Sequence, residues 1–171
     1  ESVKTYQEIS KGDQSLGMLL IYTPVKNSAS KQTIEIDSNR QEFSLKAGNP
    51  SIALIGAGNH ASRVLIPAFK KSGSILHTIN TTNGLNGTIH GKKNGFRFSS
   101  TDIQETIENK LIDTVVIATR HDSHANLVCQ ALEAGKNVYV EKPLAISLEE
   151  LDQVRNSFNK ALKDHKKINP K

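Results

Sequence analysis

The sequence predicts a doubly wound α/β domain built on a parallel sheet. Three observations carry the prediction. Ile52-Ala-Leu-Ile-Gly56 and Asp113-Thr-Val-Val-Ile-Ala118 are apolar runs of strand length, helical patterns alternate with them, and a glycine-rich turn joins the first run to its helix. A strand apolar throughout is what a sheet covered on both faces requires. Strands alternating with helices at this spacing mean βαβ units with right-handed crossovers.

The elements follow in order. Residues 1–22 read as a short helix (about Val3 to Ile9), a Gly12-Asp13 turn and an apolar strand from Leu16 to Tyr22. Residues 23–49 are polar and read as a linker, with Thr33-Ile-Glu-Ile36 alternating weakly as a short edge strand. Residues 50–171 then form the domain proper. After the strand at Ile52, Ala61 to Lys71 reads as a helix with Val64, Leu65 and Phe69 facing inward. Ile75 to Ile79 is the second strand. The Gly-rich residues 84–95 suit a short helix, and Phe96-Arg-Phe98 a minor third strand. Thr101-Asp-Ile-Gln104 has the capping-box pattern of a helix reaching about Lys110. Asp113 to Ala118 is the fourth strand. Asp122 or Ser123 caps the next helix, whose Ala125, Leu127, Val128, Ala131 and Leu132 face inward, and Gly135 stops it. Asn137 to Val140 is the fifth strand, and Ser147-Leu-Glu-Glu150 opens a last helix reaching about Leu162.

Composition narrows the function classes. The chain has 171 residues, one domain and a remainder at roughly 150 residues per domain. No run approaches the roughly 20 apolar residues of a membrane span, and Glu1-Ser-Val-Lys4 is no signal peptide, so a cytoplasmic protein is expected. Cys129 is the sole cysteine, which excludes an intrachain disulfide or a Cys-based zinc site and is most simply core. The net charge of +5 is unevenly spread. Phe43 to Thr101 holds no acidic residue but contains Lys46, Arg63, Lys70, Lys71, Lys92, Lys93 and Arg97. That field suits a polyanionic ligand, or is simply a solvated face. With five Phe, three Tyr and no Trp, nucleic-acid stacking platforms are few.

Gly56-Ala-Gly58-Asn59-His60-Ala61 fits G-x-G-x-x-[GA] between a strand and a helix, the context that dinucleotide binding of the Rossmann type requires. The first glycine allows the tight turn, the second lets a pyrophosphate approach the backbone, and Ala61 lets the helix pack on the strand. Free amides at the helix start meet the phosphates. A structural turn in a ligand-free domain is the plain alternative. An Asp or Glu usually grips the ribose about 20 residues on; here stand Asn80, Thr81, Thr82 and Asn83. Without that carboxylate a 2′-phosphate is not repelled, so the cofactor is NAD or NADP.

Ligands in open α/β sheets sit beyond the carboxyl ends of the strands, where Ala118-Thr119-Arg120-His121-Asp122-Ser123-His124 and Glu141-Lys142-Pro143 fall. This set resembles the glucose–fructose oxidoreductase and inositol dehydrogenase family (Gfo/Idh/MocA). The likeness rests on Ile52–Ala61, Asp113–His124, Glu133–Val138, Glu141-Lys142-Pro143 and Ser147–Glu150. The resemblance implies an NAD(P)-dependent oxidoreductase acting on a sugar or sugar-nucleotide hydroxyl. Lys142 would polarise or deprotonate that hydroxyl, and Glu141 would contact the nicotinamide-side ribose, with a cis bond before Pro143. A lysine desolvated beside a cofactor is suited to such work. Thr119 and His124 fall on the family's Thr-Pro-x-x-x-His pattern and would line the nicotinamide half, while Arg120 departs from the common proline. His60, in the phosphate loop, is a cofactor contact or a surface residue.

Other chemistries fare worse. His121, Asp122 and His124 lack a further ligand for a metal, and adjacent triad residue types cannot form a relay. The family's substrate domain is absent, since the chain stops at Asn169-Pro-Lys171, where a sixth strand is due. An inactive fragment is therefore expected, with an exposed sheet edge that favours a homo-oligomer. The first 22 residues are similar to the end of a zinc-type medium-chain alcohol dehydrogenase. Such a bi-domain architecture implies surface-polysaccharide or sugar-nucleotide metabolism. A non-catalytic dinucleotide sensor or scaffold and an S-adenosylmethionine-dependent methyltransferase are the competing readings.

Overall fold

A computed structural model describes residues 32–37 and 48–168. The chain divides into two units, 1–31 and 32–171, and the described residues belong to the second. The helix and strand expected within residues 1–22 lie outside them.

Six strands form one sheet: β1 (Thr33–Glu35), β2 (Ser51–Ile55), β3 (Ile75–Asn80), β4 (Phe98–Ser100), β5 (Thr114–Ile117) and β6 (Asn137–Val140). Their order is β1-β4-β3-β2-β5-β6. All neighbours are parallel except β1, which runs antiparallel to β4 as an edge. After β1 at the edge, the chain enters the middle of the sheet at β2, builds outward to β4, then returns to β5 on the other side. The reversal leaves a crevice above β2 and β5, where such sheets bind ligands.

Successive residues of β2 point to opposite faces. Ala53 and Ile55 pack with Val115, Ile117, Ile107, Leu127 and Val154 on one side. Ile52 and Leu54 pack with Leu76, Ile79, Leu65, Ile66 and Phe96 on the other. Both faces are covered, which is why the strand reads as a continuous apolar run.

Several elements shift from their expected places. The first helix divides into a π-helical segment, Ala61–Leu65, and α1, Ile66–Lys71. Ile66 N–H reaches back five residues to the Ala61 carbonyl. Pro67 has no N–H and its ring collides with the carbonyl four residues back, so the chain widens there. The wider turn rotates the apolar face: Val64, expected inside, is exposed, and Ile66 is buried. The Gly-rich stretch is α2, Gly84–Asn94, capped by the Asn83 side chain. Its Gly87 and Gly91 lie against the sheet, where a Cβ would strike Ser99, Thr81 and Ile36. The third strand starts at Phe98, because Phe96 turns into the core. α3 (Ile103–Glu108) is capped by Asp102, not Thr101, with Oδ1 accepting from Glu105 N–H at 2.9 Å. Thr101 N–H is instead committed to the Gln32 carbonyl beside β1. A 3-10 turn, His121–Ser123, precedes α4 (His124–Glu133), and α5 (Leu148–Ile168) extends beyond the expected end. At the start of α5, Ser147 Oγ accepts from Glu150 N–H, while the Glu150 carboxylate takes the Ile146 amide.

β3 carries a bulge opposite Ile52 and Ala53, which leaves His77 as the extra residue. Its ring is buried at 5.0 Å from that of Phe98, and burial, aided by Arg97, lowers its pKa to about 4. The unfolded chain therefore binds a proton between about pH 6.5 and 4 that the folded chain refuses. By linkage, stability is present above that window and falls as pH drops through it. Melting temperature followed from pH 7 to 4 is expected to decline more steeply in the wild type than in His77→Gln.

Candidate functional site

The carboxyl ends of β2, β3 and β5 open into a crevice of about 970 Å³, within the size of small-molecule sites. The two glycines of its floor have different surroundings. Gly56 has φ +95°, and a Cβ there would lie 2.5 Å from the Ala118 carbonyl oxygen and 3.0 Å from Thr119 N. Gly56 N–H donates to the Asn80 carbonyl at 2.9 Å, so this turn joins the ends of three strands. Gly58 is different: a Cβ there would meet nothing within 4 Å. Among the described residues nothing imposes a steric need for a glycine at that position. The first helical hydrogen bond runs from Ser62 N–H to the Gly58 carbonyl. The amides of Asn59, His60 and Ala61 precede it and lack helical acceptors. Ala61 is buried against the sheet, while Asn59 and His60 are exposed.

At the end of β3, Asn80 is buried and donates its side-chain amide to the Asp102 carbonyl at 2.8 Å and to Thr106 Oγ1 at 3.1 Å. Thr81 donates its hydroxyl to the Asn83 carbonyl, and Thr82 is exposed. All three line the crevice, and none is a carboxylate. At the end of β5, Ala118, Thr119 and Arg120 line it too. Thr119 Oγ1 is 2.6 Å from Ser123 Oγ, which donates to the Arg120 carbonyl at 2.8 Å. The loop is closed by its own hydroxyls, so Ser123 stands at the cap position of α4 without capping it.

The structure places His124 elsewhere than on the crevice wall. As the first residue of α4 it points inward and is fully buried. Nδ1 is 2.8 Å from the Pro143 carbonyl and Nε2 3.2 Å from the Thr119 carbonyl. The ring joins the loops after β5 and β6 from behind. The Lys142–Pro143 bond is cis, as expected. Glu141, level with the end of β5 through its N–H to the Ile117 carbonyl, accepts from Tyr139 Oη at 3.2 Å and is paired with His60 Nε2 at 3.3 Å. Burial first, then the charge and hydrogen bond of Glu141, raise the Tyr139 pKa. Lys142 is exposed. Asn59, His60, Ala61, His124, Glu141 and Lys142 all lie outside the crevice lining. His121 and His124 stack edge-on at 5.7 Å, and no metal-binding group occurs among the described residues.

The crevice also has walls that sequence reasoning missed. Ile103 from α3 and Leu127 from α4 form apolar sides, edged by the amides of Gln104, Asn126 and Gln130. Two apolar walls with an amide rim suit a flat heteroaromatic group. The only sequence signal was that both helices begin at a strand's carboxyl end.

Comparison with known proteins decides the family. Residues 51–164 match GFO_IDH_MocA, described as "Oxidoreductase family, NAD-binding Rossmann fold". The chain belongs to this family. It is 32% identical over 97 residues to 1,5-anhydro-D-fructose reductase of Ensifer adhaerens, covering 57% of this chain and 29% of that one. It is 45% identical over 51 residues to scyllo-inositol 2-dehydrogenase (NAD(+)) of Bacillus subtilis, covering 30% of this chain and 15% of that one. The crystal structure of an oxidoreductase domain protein from Kribbella flavida superposes with a TM-score of 0.61 at 28% identity, covering 68% of this chain and 33% of that one. The chain thus spans about a third or less of the length of these relatives. Within the family's NAD-binding domain the residues fit a dinucleotide: open space at Gly58, amides at the helix start and an apolar slot beside them. Among the described residues no helix is long and apolar enough to cross a membrane.

Proposed function

We propose that this chain is the cofactor domain of an enzyme that moves hydride between NAD or NADP and a hydroxyl of a sugar or cyclitol. The observation that carries the reading is Gly58, whose missing side chain serves no contact among the described residues yet lines the crevice floor. The relatives named for anhydrofructose and scyllo-inositol support a polyhydroxylated substrate. In the same reading residues 50–171 are the cofactor domain, residues 23–49 a linker that lends β1 to the sheet, and residues 1–22 the tail of a preceding domain.

The residues divide the work. Amides of Asn59, His60 and Ala61 meet the phosphates, and Asn80, Thr81 and Thr82 accept a ribose with or without a 2′-phosphate. Ala118, Thr119 and Arg120 form the opposite wall. Glu141 sets the position of the following Lys142, which hydrogen-bonds the substrate hydroxyl and takes its proton as that oxygen becomes a carbonyl. The bound nicotinamide supplies the hydride acceptor or donor.

Titration of the chain with NADH and with NADPH, followed by nicotinamide fluorescence, tests the reading; no Trp interferes. Saturable binding is expected for both. Gly58→Ala should fold normally yet bind at least about tenfold more weakly, a difference of ~1.4 kcal/mol. Equal binding by the alanine variant would show that nothing approaches the backbone there.

A further inference from the structure

The proposed site has a charge imbalance that the glycine loop alone leaves uncorrected. A dinucleotide carries a doubly anionic pyrophosphate, and backbone amides offer it only partial charges. The crevice is lined by two charged residues, Arg120 and Asp122. Arg120 is therefore its one cationic residue among the described residues. It forms no ion pair with any described residue and is exposed. Its backbone is extended at φ −74°, ψ 151°, and its carbonyl is held by Ser123 Oγ, which fixes where the side chain leaves the loop. The preceding residues, Ala118 and Thr119, are those whose backbone a Cβ on Gly56 would strike. Arg120 thus follows the segment packed directly against the phosphate loop and lines the same crevice as Gly58.

Building on the proposed function, we infer that Arg120 is the side-chain anchor for the pyrophosphate of the bound dinucleotide. A guanidinium is planar, permanently charged and matched to two phosphate oxygens at once. The family's Thr-Pro-x-x-x-His pattern has a proline at this position, which can make no such contact. Asp122 also lines the crevice but is not within ion-pairing distance of Arg120, so among the described residues the guanidinium holds no counter-ion and is left for an anionic ligand.

The test is binding of NADH, NADPH and adenosine to the wild type, Arg120→Gln, Arg120→Lys and Arg63→Gln. Adenosine is read by displacement of NADH. Arg63 is exposed and outside the crevice, and it removes the same charge from the acid-free region. Arg120→Gln should weaken NADH and NADPH equally, by about tenfold, and leave adenosine unchanged. Arg120→Lys should recover part of the loss, Arg63→Gln should show almost none, and added salt should narrow the gap between wild type and Arg120→Gln. A loss confined to NADPH would move the contact to the 2′-phosphate and overturn the assignment. Equal losses in Arg120→Gln and Arg63→Gln would reduce it to the general field. Unchanged NADH binding in Arg120→Gln would overturn it while leaving the dinucleotide reading intact, and no binding by the wild type would overturn both.

Discussion

Lys142→Ala in the full-length protein is expected to lower kcat by about 10²–10⁴-fold, the range over which positioned proton transfer contributes. NADH affinity should change by no more than a few-fold, because Lys142 lies outside the crevice lining. The expectation rests on how its segment is held. Glu141 N–H is bonded to the end of β5, its carboxylate is paired with His60 and Tyr139, and the Pro143 carbonyl faces the buried His124. Lys142 sits between two fixed neighbours, with an exposed side chain facing no described carboxylate within ion-pairing distance. A surface lysine that served only solubility would need none of this. Lys142→Arg keeps a charge but cannot release its proton near neutral pH, so it should be nearly as inactive as the alanine. Turnover unchanged in Lys142→Ala, with dinucleotide binding intact, would instead favour a non-catalytic sensor or scaffold.

Much of this was legible in the residues, for reasons that can be named. β2 and β5 are buried on both faces, so their apolar runs stood out. Gly56 and Gly58 were readable because strand, turn and helix occupy consecutive residues. The helix after them was legible in extent but not in phase, since Pro67 removes a hydrogen bond and turns Val64 outward. Residues 84–95 were legible as a short helix, but Gly87 and Gly91 look like breakers, and their use, letting α2 touch the sheet, shows only in the packing. His124 was assigned to a wall because spacing shows that a residue begins a helix, not which way it faces; its ring is inside, between two carbonyls. Ile103, Leu127 and Gln130 were missed because they meet only when α3 and α4 start side by side. No interval in the chain encodes that meeting.

The second large effect separates the two glycines by stability. Gly56→Ala is expected to cost about 2–5 kcal/mol: ~1–2 for an alanine at positive φ and ~1–3 for the overpacked Cβ. Relief is hard to find, because the obstructing atoms belong to the Ala118 and Thr119 backbone and not to a flexible side chain. Moving that backbone would disturb the hydrogen bond from Ala118 N–H to the Ile55 carbonyl and with it the β2–β5 pairing at the centre of the sheet. Thermal melting should fall by roughly 10 °C or more, while Gly58→Ala should melt with the wild type. If Gly56→Ala also melted with the wild type, the close packing of the two loops would be wrong, and with it the placement of Arg120 beside the phosphate loop. If both glycine variants lost stability, Gly58 would be serving the fold, and its open side could no longer be read as room for a phosphate. Only the split outcome, one glycine needed by the protein and the other by its ligand, agrees with the geometry of the turn.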